Sequence, residues 1–370
     1  MRDDNGTPGV NNLCTLLSIA LMSWRRIFAR NDRRSGNGGE TMNGTLTGGQ
    51  ESSEAQPFSA KTIEISGQGK IWSVAFLVDG KHVVSGGSEG KIRRWRVEDG
   101  MEVGTPMVAG SWVRNIAVSR DGRWIVNGTR RWEVQVWSAE SGKKLSETRG
   151  HSDWVRAVDV SPDSTKIASG SSDETACVWS LSTGERLLGP WKHDGWVLAV
   201  KFSPDGRFIA TATQNFFRIY NSRDGNLVVN VPIKITYSRN HSFAWSCNCE
   251  HLFAVSSGKI ICLDASTGAT LSQWSIHGDK YNHIALTSDG AFIAATSNSS
   301  VTFWDATTHK QVGSVIEHTG KVGSMAISTN NDIVIGGGNK ITLGSLCNIL
   351  PSSYCDTVSI FESRTRFTAQ

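Results

Sequence analysis

The chain has 370 residues and a formal charge of +4, with 38% apolar and 19% charged residues, a balance that fits a folded globular protein with enough length for a closed core and excludes disorder throughout. Six arginines before residue 58 (Arg2, Arg25, Arg26, Arg30, Arg33, Arg34) are cancelled by six acids (Asp3, Asp4, Asp32, Glu40, Glu51, Glu54), so the excess falls on residues 58–370 and is too small to indicate specific nucleic-acid binding. Seven scattered cysteines, an odd number with no secretory leader before them, point to a reduced intracellular compartment, cytoplasmic with the nucleus left open.

In chain order the first expected element is a helix. Leu13, Leu16, Leu17, Ala20, Leu21, Trp24, Ile27 and Phe28 fall at i, i+3, i+4, i+7, i+8, i+11, i+14 and i+15, one apolar face of a helix over about residues 12–30. Arg25, Arg26 and Arg30 sit beside its last turn. Such a helix suits a partner groove or peripheral contact with an anionic membrane, with packing onto the main domain as the alternative. The apolar run Leu13–Met22 is too short to span a bilayer, so no transmembrane segment is expected. A Gly-, Ser- and Asn-rich stretch over 31–57 reads as a flexible linker, which sets residues 1–57 apart from the rest.

From there the chain repeats itself. Hexapeptides start at Ile71 (IWSVAF), Val113 (VRNIAV), Val155 (VRAVDV), Val197 (VLAVKF), Asn240 (preceding HSFAW), Tyr281 (YNHIAL) and Val322 (VGSMAI), at offsets of 42, 42, 42, 43, 41 and 41. Chance similarity does not hold register over seven copies. Each copy continues with a turn such as Asp79-Gly80, Asp121-Gly122 or Asp205-Gly206, then a β-branched run such as KHVVSGG or TKIASGS. A third strand follows, ending on Trp95, Trp137, Trp179, Tyr220, Leu263 or Trp304, and another Gly turn leads to a fourth. Four short strands in roughly 40 residues with this punctuation is the pattern of a propeller blade.

These residues resemble the WD40 repeat family over about residues 58–346. The resemblance is fullest in the third copy, where Gly150-His151, SPD, SGSSD and Val178–Ser180 occupy the family's places, and the phrasing is most similar to fungal WD40 arrays of the NACHT-associated type. The resulting expectation is an all-β fold: a seven-bladed propeller of four-stranded antiparallel blades. The last copy ends after its third strand, KITLGSL, and the alternation AKTIEIS over Ala60–Ser66 is the candidate for its missing fourth, so an N-terminal strand closes the ring. Residues 347–370 do not continue the repeat and read as an irregular tail or a strap across the closing blade.

Several residues invite a catalytic or metal reading. His151, Ser169 and Asp173 contain a protease's residue types, but with Trp179 they resemble the family's structural tetrad, a buried hydrogen-bonded chain. His193, His277 and His318 recur at the histidine's place. The aspartate position holds Glu89, Arg131, Asn215, Gly258, Ser299 and Lys340 in the other copies, so most blades are expected to rely on apolar packing, at some cost in rigidity to the second and the fifth to seventh. Cys247, Cys249 and His251 alternate as soft ligands would, yet no fourth ligand is evident. SGGSEGK and GGGNK fail the phosphate-loop spacing. The expectation is no catalysis, no cofactor and no metal.

The functional candidates are the residues just before each first strand: Lys70, Trp112, Trp154, Trp196, Arg239, Lys280 and Lys321 in order round the ring. At the second position of the strands stand Trp72, Arg114 and Arg156. By resemblance to WD40 propellers, this register lies at the channel mouth on the narrower face. Tryptophan with arginine is the composition of interface hot spots; packing between blades is the alternative for the indoles. The expected function is a non-catalytic scaffold or recognition module for other proteins, with acidic or phosphorylated peptides as ligands. Alternatives are the sensor part of a fungal NACHT-type signalling protein, a ubiquitin-ligase substrate receptor and, from another class, a quinoprotein-like enzyme.

Overall fold

The computed structural model divides the chain into two units, Met1–Pro57 and Phe58–Gln370, and describes residues 61–64, 69–233, 243–256, 258–276 and 281–350. The N-terminal helix and linker read from the sequence lie outside the described residues. The described residues form seven four-stranded antiparallel sheets, each built in sequence order except the last. That last sheet takes its outer strand, Lys61–Glu64, from the other end of the repeat array, with Lys61 opposite Leu343 and Ile63 opposite Ile341. The ring is therefore closed by the N-terminal strand. No helix among the described residues is long and apolar enough to cross a membrane.

We number the blades 1 to 7 by their inner strands: Ile71–Phe76, Val113–Val118, Val155–Val160, Ala199–Phe202, Phe243–Trp245, Tyr281–Leu286 and Val322–Ile327. Each inner strand ends at a tight turn. In blades 2 to 7 a Ser or Thr (Ser119, Ser161, Ser203, Ser246, Thr287, Ser328) accepts the N–H of the first residue of the next strand at 2.8–3.0 Å. Blade 1 has buried Leu77 at that place and relies on Asp79, whose carboxylate accepts the N–H groups of Lys81 and His82.

The core lies between blades rather than within them. Val126, Val134 and Val136 of blade 2, for example, pack with Val155, Val158, Ile167 and Trp179 of blade 3. Close approach there depends on glycine. A Cβ on Gly86, Gly128 or Gly170 would fall 2.5–2.6 Å from a methyl of Val113, Val155 or Val197 on the next blade, and one on Gly336 would fall 2.6 Å from Val74 across the ring seam. Blade 4 has Ala212 at this register, paired with Ala199. Side chains also clip successive inner strands together: Ser73 Oγ accepts Ile116 N–H at 2.9 Å, Asn115 Oδ1 accepts Val158 N–H at 2.9 Å, and Asp159 Oδ2 accepts Phe202 N–H at 2.7 Å.

The packed core extends past the boundary expected at residue 346. Leu346, Ile349 and Leu350 follow the last strand through a 3₁₀ turn and are buried with Phe292, Phe303, Ile316 and Ile333 of blades 6 and 7. The sequence after Leu346 loses the repeat but keeps Ile349 and Leu350, and burial of those side chains outweighs the loss of pattern.

Candidate functional site

The tetrad residues meet in blade 3. Trp179 Nε1 donates to Ser169 Oγ at 2.7 Å, Ser169 Oγ lies 2.7 Å from His151 Nε2, and His151 Nδ1 lies 2.9 Å from Asp173 Oδ2. Burial alone would raise the Asp173 carboxyl, but hydrogen bonds from His151, Thr175 and the Ser152 N–H hold it far below the usual carboxylate range. Ser169 is fully buried and engaged on both sides, so it has no access to a substrate. The arrangement is a clamp between the strands of one blade.

Other blades keep part of this clamp with different residues. Trp95 Nε1 donates to Ser85 Oγ at 2.8 Å and Trp137 Nε1 to Asn127 Oδ1 at 2.7 Å. In blade 4, His193 Nε2 meets Thr211 Oγ1 at 2.9 Å and the Tyr220 hydroxyl at 3.5 Å. The second blade, expected to rely on apolar packing, holds a buried polar chain instead: Asn127 is joined by Gln135, which donates to the Ala109 carbonyl at 3.1 Å. An Asn–Gln pair satisfies the indole where histidine and aspartate are missing.

Cys247, Cys249 and His251 lie around the first turn of blade 5, with Cys249 at the turn itself, φ 63°. Burial pushes the Cys249 thiol up to about 11, and Cys247 Sγ points toward the Asp289 carbonyl. Among the described residues, no group of three or more His, Cys, Asp and Glu is gathered to hold a metal.

At the channel mouth the tryptophans and arginines form one continuous ladder over blades 1 to 4. Trp72 and Trp112 meet edge-on with centroids 5.0 Å apart, and Trp112 and Trp154 do the same at 6.1 Å. Arg114 lies 4.8 Å over Trp72. Arg130 lies between two indoles, 4.4 Å from Trp112 and 4.5 Å from Trp154. Arg156 lies 4.1 Å over Trp196 and 5.8 Å over Trp154. The order is Arg114, Trp72, Trp112, Arg130, Trp154, Arg156, Trp196.

Strand irregularities aim these side chains. In blades 1, 2 and 3 the pairing of the inner strand slips after its first residue, so that Trp72, Arg114 and Arg156 are the unpaired extra residues. A bulge of this kind turns a side chain away from the alternation of the sheet, here toward the channel. Trp196 is 48% exposed; Trp72, Trp112 and Trp154 are half-buried, each held by the ladder itself. Lys70 and Lys321 are exposed, while Arg239 and Lys280 lie outside the described residues.

The inner strands line a cavity of about 330 Å³ whose walls include Trp72, Arg114 and Arg156 together with Asp159, Lys201 and His283. Burial raises the Asp159 carboxyl against the pull of Lys201. Burial also lowers the His283 imidazole to about 4, opposed by its bond to the Gly323 backbone and reinforced by the Lys201 ammonium.

Arg130 is the ladder member that register analysis misses. It lies in the turn between the second and third strands of blade 2, where its N–H donates to the Trp112 carbonyl at 3.1 Å. Ser172 occupies the corresponding place in blade 3, donating to the Trp154 carbonyl at 2.9 Å. The signal is present in TRRWE, where the neighbouring copies read GSEGK and SSDET.

Two family models match the chain: the WD domain, G-beta repeat, over residues 60–96, and the IFT122 first beta-propeller over residues 112–348. No curated protein matches. Since the second model spans well over half of a chain whose described residues close into seven blades, the protein belongs to the IFT122 first beta-propeller family of WD40 propellers.

Proposed function

We propose that this propeller is a non-catalytic interaction scaffold that docks an extended segment of a partner protein across the channel mouth, with an acidic or phosphorylated residue on the arginines of the ladder. The observation that carries this reading is Arg130. It is exposed and lies between two indoles, and among the described residues no carboxylate pairs with it. Arg93, Arg123 and Arg207, by contrast, each hold an acid at 2.5–2.8 Å. A guanidinium over an aromatic face keeps its N–H fork in its own plane, available for two parallel bonds to a carboxylate or phosphate. Stacking contributes roughly 0.5–2 kcal/mol per contact and holds the side chain in place before a ligand arrives, which lowers the entropy lost on binding.

The same face serves the reading in which the propeller is the recognition part of a larger signalling protein of NACHT type, since the two differ only in what the ring is joined to. The test is a panel of labelled peptides, neutral, glutamate-rich and phosphoserine-containing, titrated against the full chain. The acidic and phosphorylated members should bind tighter, and Trp112→Ala/Trp154→Ala/Trp196→Ala, shown by circular dichroism to be folded, should lose them. Equal affinity for the neutral peptides removes the proposal.

A further inference from the structure

The turn that carries Arg130 contains a second feature that packing does not explain. Trp132, two residues on, has φ 73° and is 49% exposed. The residues in the same place in blades 1 and 3, Gly90 and Glu174, are left-handed too, at 75° and 65°. This conformation costs nothing for glycine and is unfavourable for a residue with a Cβ, most of all a bulky one. Trp132 gains little burial in return. Strain kept in an exposed aromatic side chain points outward, to what that side chain touches.

The turn is also rigid. Thr129 is fully buried, and its Oγ1 accepts the N–H groups of Arg131 and Glu133 at 3.2 and 3.3 Å while donating to the Glu133 carbonyl at 3.3 Å. Glu133 is itself occupied by Gln135 Nε2 at 3.1 Å, with Arg149 at 3.9 Å. Thr129 to Glu133 therefore presents one caged cation and one exposed indole from a single fixed piece of backbone, with exposed Arg131 between them.

We infer that this turn is a two-point docking element: Arg130 receives the acidic or phosphorylated residue and Trp132 receives a large apolar side chain a few residues along the same extended partner segment. The inference rests on the docking reading above and adds the second requirement to it. Positive charge at Arg130 and Arg131 selects an acidic segment, and an exposed indole is the side chain most often found as a binding hot spot.

The test uses the full chain and fluorescence polarisation with synthetic probes: a glutamate-containing Gly/Ser peptide, the same peptide with one phenylalanine at successive spacings from the glutamates, and a phenylalanine-only peptide. At its best spacing the mixed probe should bind about tenfold tighter than the acidic one, the effect of one good apolar anchor. Trp132→Gly should melt no lower than wild type, because glycine is at ease in this conformation, and should bring the two probes to parity. Arg130→Gln should weaken both. If wild type binds the acidic and mixed probes equally at every spacing, or Trp132→Gly keeps the preference, the two-point inference fails while the docking face stands. If wild type binds no acidic probe, both fall together.

Discussion

Blades 1 to 4 and blades 5 to 7 solve the same folding problem with different completeness. In the first group every large residue closing the third strand is hydrogen-bonded to its neighbours, Trp95 to Ser85, Trp137 to Asn127, Trp179 to Ser169 and Tyr220 to His193. In the second, Leu263 has no polar group to anchor and, among the described residues, Trp304 reaches only Thr302 of its own strand, at 3.1 Å. The buried ring nitrogens left without a partner among the described residues, Trp274 Nε1, His283 Nε2 and His318 Nε2, all belong to blades 5 to 7. The glycines that admit a valine methyl from the next blade stand in blades 7, 1, 2 and 3, so three of these four close interfaces lie beneath the ladder and the fourth is the ring seam. A surface that must hold several side chains in register for a ligand stands on the part of the ring whose third strands are anchored by side-chain hydrogen bonds and three of whose blade interfaces close over glycine.

The largest expected effect lies at the seam between the two groups. Removing residues 1–66 strips blade 7 of its outer strand, and losing Ile63 packing and the strand's hydrogen bonds should cost on the order of 3 kcal/mol or more, read as a large drop in melting temperature. A truncated chain that melts like the full one would mean that the seam is held by something else. Next, Gly128→Val forces a side chain to where Val155 already stands, 2.6 Å away, and should cost about 1–3 kcal/mol by overpacking in denaturant unfolding.

The comparison is sharpened by a pair of smaller changes. Ser169→Ala leaves the Trp179 and His151 nitrogens buried without their shared partner and should cost about 1–3 kcal/mol. Thr302→Ala removes the weaker contact within one strand and should cost under about 1 kcal/mol. Equal losses would erase the distinction between the two groups. A further effect, spread over several pH units, is in the acid limb of stability. His193, in blade 4, is lowered by burial to about 4, as is His283 in blade 6. Between the ordinary histidine value and about 4 the unfolded chain binds protons that the folded chain does not, so stability is full above about pH 6.5 and declines as pH falls toward 4. His193→Gln should flatten part of that decline in melting temperature measured over this range, and an unchanged slope would assign the effect to other groups.

Much of this was legible in the sequence. The offsets near 42 gave the blade count, and the missing fourth strand of the last copy together with AKTIEIS gave the closure. Both follow from backbone pairing, which every copy must satisfy. The ladder was legible only in part, because Trp112, Trp154 and Trp196 share one register while Arg130 enters from a different turn. Spacing along the chain does not reveal a contact made between turns. The polar substitutes in blade 2 were hidden for a related reason: Asn127 stands at the register of Ser169 but is an amide rather than a hydroxyl, and Gln135 lies outside the tetrad positions, yet Asn127 satisfies the same indole and Gln135 supports it through hydrogen bonds that many residue pairs can supply.

The strand that closes the ring has a consequence for the life of the chain on the ribosome. Lys61–Glu64 pairs with Lys340–Ser345, so almost the first residues of the propeller wait for nearly the last. At 5–20 residues per second the intervening chain takes on the order of tens of seconds to emerge. During that interval the inner face of blade 1 has no blade 7 to pack on, and its apolar side chains stand open to the cell. Association between early and late segments also gives the ring a high contact order and hence slow closure. The nascent propeller therefore keeps an apolar blade face uncovered for as long as its seventh blade is unmade, and the seam between blades 7 and 1 can join only after the last strand has emerged.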